Sequence, residues 1–365
     1  MFSTTSNEIL VTSVDRKKVV TLNRPRALNA LNLSMVRQFY SLLKKWNSER
    51  IASLVILKGA GDKAFCAGGD VIAVTKSAKA NDPSLTVHKD FFREEYLLNH
   101  LIGVCEAPFI SLLNGITMGG GCGVSIHGGF RVATEKTVLS MPETALGLFP
   151  DVGGSYFLSR LKHKLGIFLA LTGYRLQGAD VYHSGLATHY VPSQMLPALE
   201  KDLLQLKDEE VRAQTIRVKL KKYNEDDLPK FSLEPHLEEI EDLFTAPTME
   251  GIVSNLKKSN SEFAQKQLRI ISKMSPTSLK VTLRQLLEGA KINFSEVFTM
   301  EYRLSQRFML DHDFHEGCRA ILIEKDRKPL WQPSQLEDVT EEMVNKYFEP
   351  LPEGEDLLIK ADTHK

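Results

Sequence analysis

The chain has 365 residues, and its 46 Lys and Arg balance 46 Asp and Glu. That length holds one large domain or two ordinary ones with a sizeable core, and zero net charge excludes a globally basic nucleic-acid binder. Four scattered cysteines with no C-x-x-C pair read as reduced thiols of an intracellular protein. No apolar run approaches the ~20 residues that span a bilayer, so no membrane partner is expected. Residues 1–10 carry no charged-then-apolar targeting pattern.

Residues 9–14 and 19–22 read as two short strands around Asp15-Arg16-Lys17. Ser34 is placed to cap a helix reaching about residue 49, with Met35, Val36, Phe39, Leu42, Leu43 and Trp46 on one face. A strand at 54–57, a helix at about 90–104 and a strand at 109–113 follow. Residues 121–127 read as a short helix, and 130–133 and 138–140 as strands. Strand–helix alternation with glycine loops at strand ends predicts an α/β layered fold. From about Pro197 the texture becomes charged and helical, and residues 201–263 read as a solvated helical subdomain. Three further helices are expected, at about 275–289, 294–310 and 314–325.

Two stretches share one plan: an apolar strand, a glycine-rich loop, then a helix. One closes with Phe65-Cys66-Ala67-Gly68-Gly69-Asp70, the other with Met118-Gly119-Gly120-Gly121. Glycine N–H groups at a helix start are unpaired and lie at the positive end of the dipole. Two such loops together could hold one oxygen between two donors, an oxyanion hole suited to a thioester or ester carbonyl. The second run is not a phosphate loop, because no Gly-Lys-Ser/Thr follows, and its glycines miss the dinucleotide spacing. Glu143, after Met141-Pro142, and Asp151, after Phe149-Pro150, supply two nearby carboxylates. Asp311-His312-Asp313-Phe314-His315-Glu316 has the residue types of a metal cluster, but Asp313 with Glu316 reads better as a helix-capping box, so no metal and no cofactor is expected. No G-x-S-x-G supports a hydrolase serine.

Asn23-Arg24-Pro25, Leu28-Asn29-Ala30-Leu31, Ala64 to Asp70, Asn114-Gly115, the Gly119-Gly120-Gly121 run and Met141-Pro142-Glu143 resemble the enoyl-CoA hydratase/isomerase (crotonase) superfamily. The resemblance runs from Ile9 to about Val191 and resumes from Ser275 to Lys325. It implies a crotonase-like ββα spiral core at residues 8–200, a helical insertion at 201–265, and the C-terminal helices of the fold at 266–348. The stretches Phe92-Arg93-Glu94-Glu95-Tyr96, Phe149 to Gly154 and His312 to Gly317 are similar to the branch that hydrolyses a 3-hydroxyacyl-CoA in valine breakdown. Two departures from the hydratases favour that branch. Gly123 stands where they carry a glutamate, and Asp151 stands where they carry glycine.

The resemblance implies roles for particular residues. The N–H groups of Gly69 and Gly120 would bind the thioester oxygen. Glu143 would attack the carbonyl or activate water, and Asp151 would orient the 3-hydroxyl or manage the proton. Glu95 would bind the hydroxyacyl end of an acyl-CoA substrate. Arg24, Arg26 and backbone near Ala67 would meet the CoA nucleotide. It also implies a mitochondrial matrix location and a homo-oligomer, since the family usually forms trimers or dimers of trimers. The alternatives are hydratase or isomerase chemistry on another acyl-CoA, or a non-catalytic CoA- or RNA-binding homologue.

Overall fold

The computed structural model describes residues 7–80, 82, 84–224 and 227–359, so the first six residues read for a targeting pattern lie outside it. In chain order the elements begin with β1 (Ile9–Val14), β2 (Lys17–Leu22), α1 (Leu33–Ser48), β3 (Leu54–Gly59) and β4 (Ala64–Cys66). Next come α2 (Val71–Lys79), α3 (Val87–Gly103), β5 (Phe109–Leu113), β6 (Ile116–Met118), α4 (Gly120–Ile126), β7 (Phe130–Ala133) and β8 (Val138–Ser140). The middle of the chain forms α5 (Gly154–Phe157), α6 (Leu165–Thr172), β9 (Leu176–Gln177), α7 (Ala179–His183) and β10 (His189–Tyr190). It continues through α8 (Leu196–Leu204), α9 (Ala213–Tyr223), α10 (Leu237–Leu243), α11 (Met249–Lys258) and α12 (Glu262–Ile271). The last helices are α13 (Pro276–Gly289), α14 (Phe294–Phe308), α15 (His312–Cys318) and α16 (Glu341–Phe348).

Local chemistry sets several boundaries. Asn32, not Ser34, caps α1, its side chain accepting from the Met35 N–H at 2.9 Å. Ser34 lies inside the first turn and accepts from Gln38 instead. Ser275 caps α13, and Asn293 with Glu296 forms a capping box on α14. The box expected at Asp313 and Glu316 does not form. Asp311 occupies the cap position of α15, while buried Asp313 accepts from Ser275 Oγ at 2.6 Å and Gln332 N–H at 2.8 Å. The helix expected to reach residue 325 gives way at Arg319–Ile323 to a π-helical turn.

The chain divides into two units. The first comprises the residues up to Gly69, Leu101–Leu139 and Leu176–Phe231. It holds a six-stranded sheet of order β1-β2-β3-β5-β7-β10 and a four-stranded sheet of order β4-β6-β8-β9. β1 and β2 pair antiparallel, and the rest of the larger sheet is parallel. Each successive strand pair, β3–β4, β5–β6 and β7–β8, gives its first strand to the larger sheet and its second to the smaller. This alternation is the ββα spiral. Buried Val19, Leu54, Ile56, Ile110 and Leu112 of the larger sheet share a core with Leu199 and Leu203 of α8 and Ile216 and Leu220 of α9. Lys17, wholly buried, donates to Leu206 O at 2.8 Å and to Asp208 at 3.3 Å, pinning the chain beyond α8 to the start of β2.

The second unit comprises Asp70–His100, Ser140–Arg175 and the chain from Ser232 onward. It is helical. Every residue of α6 is buried, as expected of a helix that is apolar all round. Amphipathic α10, α12 and α13 supply its neighbours, through contacts such as Phe168 with Phe244 and Phe263.

Candidate active site

Within the first unit the two glycine loops meet. β4 and β6 pair in parallel, bringing the backbone after Cys66 against the backbone after Met118. A Cβ on Gly121 would lie 2.2 Å from Cys66 O, so only glycine permits this approach. Gly119 turns into α4 at φ +47°, and Gly120 is the first residue of that helix, where the N–H has no intrahelical acceptor. Leu31 N–H donates to Gly68 O at 2.8 Å. In the trans peptide joining Gly68 to Gly69, the N–H of Gly69 therefore points away from Leu31. Buried Asn29 steadies the neighbouring loops, accepting from Arg24 N–H and donating to Ala60 O and Ala64 O.

The roles implied for the nucleotide-facing residues meet competing contacts. Arg24 donates to Ala30 O at 2.7 Å and pairs with Glu8 at 3.1 Å. The Ala67 N–H is bonded to Leu28 O at 3.0 Å. Arg26 sits exposed in the 3-10 turn Pro25–Ala27.

The second unit holds the acids. Glu143 opens a 3-10 turn, Glu143–Leu146, that follows β8 along the chain. Asp151 lies in the loop before α5, where Val152 and Gly153 take φ +53° and +86°. A β-branched residue at positive φ is strained, and the loop is clamped accordingly. Wholly buried Glu301 of α14 accepts from Gly153 N–H at 2.7 Å, Ser155 N–H at 2.9 Å and Ser155 Oγ at 2.6 Å. Gln285 of α13 donates to Pro150 O at 2.6 Å and to Ser155 Oγ at 2.8 Å. Asp151 in turn accepts from the Tyr96 hydroxyl at 2.8 Å. Glu95 precedes Tyr96 on α3 and is buried.

Glu95, Glu143, Asp151 and Glu301 are all buried, and none has a basic partner among the described residues. Burial therefore dominates their ionisation. It pushes Asp151 up to about 7, although the Tyr96 hydrogen bond pulls the other way. It pushes Glu301 up to about 8 against the three bonds it accepts. Glu95 is raised well above the usual range by burial, then by the charges of Asp151 and Glu143. Glu143 is raised by burial and by Asp151. Such a cluster keeps at least one proton near neutral pH beside an ionised carboxylate, the complement that general acid–base or nucleophilic chemistry requires.

The structure brings Glu95, Glu143 and Asp151 into mutual electrostatic reach in one unit, and Gly69 and Gly120 onto adjoining loops in the other. The residues that resembled metal ligands are engaged separately. His315 Nε2 bonds Met309 O, His312 pairs with Asp313, and Glu316 is held by Arg319. Cys66 is buried with its thiol on Gly68 O. Sequence reasoning gave no role to Tyr96, Asn99 or Glu301. A polar residue on an otherwise buried helix face marks two of them. Glu301 interrupts the buried stripe Val297, Leu304, Phe308 of α14, and Asn99 lies in the inward stripe of α3.

A ββα spiral with adjoining glycine loops and a buried acid cluster defines an acyl-CoA enzyme of crotonase type. Residues 17–348 match the enoyl-CoA hydratase/isomerase family model, and the chain belongs to that family. It is 53% identical over 350 residues to the mitochondrial 3-hydroxyisobutyryl-CoA hydrolase of Homo sapiens, covering 95% of this chain and 89% of that one. The Bos taurus protein of the same name is 54% identical over 346 residues, covering 94% and 89%. Among solved structures, a carnitinyl-CoA dehydratase from Mycobacterium thermoresistibile superposes with a TM-score of 0.89 at 35% identity, covering 98% of this chain and 100% of that one. An enoyl-CoA hydratase from Rhodobacter sphaeroides gives 0.87 at 34%, covering 96% and 100%.

Proposed function

We propose that this protein hydrolyses 3-hydroxyisobutyryl-CoA to 3-hydroxyisobutyrate and CoA, a step of valine breakdown, in the mitochondrial matrix. The observation that carries this reading is the identity of about one residue in two, over nearly the whole chain, with hydrolases of that name. The acid complement supports it. Gly123 leaves α4 without the glutamate of the hydratase pattern, and Asp151 adds a carboxylate on a clamped loop.

In this reading the N–H groups of Gly69 and Gly120 receive the thioester oxygen, each contributing roughly 3 kcal/mol as negative charge develops on it. The reactive form is the one with Glu143 ionised and the proton on Asp151; in it Glu143 attacks the carbonyl carbon, and its Oε2 has no hydrogen-bond partner to displace. The C–S bond breaks, and the CoA thiolate leaves with a proton delivered by Asp151. Water, deprotonated by Asp151, then opens the resulting anhydride, releases the hydroxy acid and restores Glu143. Glu95 engages the hydroxyacyl end, and Arg24, Arg26 and Ala67 face the CoA nucleotide. We further read residues 201–265 as an insertion into the fold and the assembled protein as a homo-oligomer, which light scattering tests.

Thiol release followed with dithionitrobenzoate tests the activity. Fast hydration of crotonyl-CoA without thiol release would replace this reading with a hydratase. No reaction with either substrate would leave a binding homologue. A single turnover in heavy-oxygen water tests the route. Label in the Glu143 peptide means an anhydride, whereas label only in the product acid means that Glu143 activates water directly.

A further inference from the structure

Helix α3 presents Phe92, Glu95, Tyr96 and Asn99 on one buried stripe, at the three- and four-residue spacing of a single helix face. Phe92 packs on Tyr96, and Tyr96 bonds Asp151. Asn99 has no such account. Its side chain is wholly buried, yet neither Nδ2 nor Oδ1 has a hydrogen-bond partner, and Glu95 Oε1 is equally unpartnered. Buried polar groups in native proteins are almost always paired, so two adjacent unsatisfied side chains await something polar. Glu95 and Asn99 are one helical turn apart, with Cβ atoms about 6 Å from each other. Tyr96, on the same face, bonds Asp151 at 2.8 Å, which sets this stripe beside the acid cluster.

We propose that Asn99 is a specificity-determining residue that, together with Glu95, holds the 3-hydroxyl of the acyl chain. Asn99 Nδ2–H donates to the hydroxyl oxygen, and the hydroxyl donates to the Glu95 carboxyl. The complementarity is that of one alcohol, which offers a single donor and accepts through its lone pairs. A neutral amide supplies the donor without adding charge to a crowded acid cluster. An acyl chain without the hydroxyl would leave both side chains buried and unpaired, which is the effective way for a site to reject an analogue. This inference rests on the hydrolase reading and deepens it.

The test compares 3-hydroxyisobutyryl-CoA with isobutyryl-CoA, the same carbon skeleton lacking the hydroxyl. In Asn99→Leu, of similar volume, the wild-type preference in kcat/KM for the hydroxylated substrate should fall about 10- to 100-fold. An unchanged preference, with both substrates slowed alike, would overturn the proposal and leave Asn99 a structural residue. Asn99→Ala reads the same ratio if the leucine variant does not fold. Non-hydrolysable thioether analogues, titrated calorimetrically into the wild-type protein, separate this inference from the activity. Tighter binding of the hydroxylated thioether, lost on substitution of Asn99, sustains it even if the wild type releases no thiol. Equal affinities for the two thioethers would overturn it.

Discussion

Replacing Asp151 by asparagine should stabilise the protein and disable it. The carboxyl is buried, and its pKa rises from 3.8 to about 7 on folding, with burial as the cause. A pKa raised by folding means that the native state holds the proton more tightly than the unfolded chain. Its stabilising effect is complete below pH 3.8 and is lost as pH climbs to about 7, after which the loss is constant. The rise of about 3 units corresponds to about 4 kcal/mol at pH 8. Asparagine keeps an oxygen for the Tyr96 hydroxyl and never ionises, so it recovers much of that loss. Removing the Asp151 charge also relieves the repulsion that raises Glu95 and Glu143, which adds to the gain, whereas the neutral amide makes a weaker bond with the Tyr96 hydroxyl and offsets part of it. The expected net gain is therefore about 2–4 kcal/mol at pH 8, or several degrees in Tm for a chain of this size, shrinking toward zero at pH 4. Thermal and urea denaturation of both proteins at pH 4, 6 and 8 measures it. An Asp151→Asn variant no more stable than wild type at pH 8, or equally stabilised at pH 4 and pH 8, would refute the account of a buried charge held against its solvation.

Three other substitutions probe the remaining parts. Glu143→Gln keeps the side-chain volume but removes the nucleophile or base, and kcat for thiol release should fall at least about 100-fold; near-wild-type turnover would defeat the mechanism. Gly121→Ala puts a Cβ 2.2 Å from Cys66 O, so the two loops must part, and a loss of about 100-fold in kcat is expected from such a misplacement. Wild-type rates in that variant would show that the loops do not set the reacting geometry. Glu301→Ala strands two buried N–H groups and a hydroxyl, so urea denaturation should show a loss of about 3 kcal/mol or more, while an unchanged midpoint would mean that water satisfies them.

The sequence was most legible where chemistry is local. Alternation of apolar strands with glycine loops announced the layered core, and β5, β7 and β8 fall on the expected residues. Pro276 after Ser275 marked the start of α13. Asp313 misled because its value is tertiary. It is within reach of a helix start in sequence, but its carboxylate is spent on Ser275 and Gln332, and a neighbouring residue takes the cap position. The acid cluster was half visible. Glu143 and Asp151 lie close in sequence, whereas Tyr96 and Glu301 reach Asp151 and its loop from 55 and 146 to 148 residues away. No local pattern encodes such a meeting. Only the oddity of a glutamate on a buried face of α14 could have flagged it.

The donors of the oxyanion hole proposed here are main-chain atoms, and no single-residue replacement deletes a peptide N–H except proline. A substitution can tilt the loops or crowd them, but it cannot erase the feature in the way that losing an arginine erases a charge. A lineage built on such a scaffold is free to exchange its ionisable groups while the carbonyl-binding device persists. Relatives bearing the names hydratase, dehydratase and hydrolase share the one architecture. In this chain Gly123 stands where the hydratases carry an acid and Asp151 lies on the clamped loop, so in the proposed reading few side chains separate one chemistry from the other.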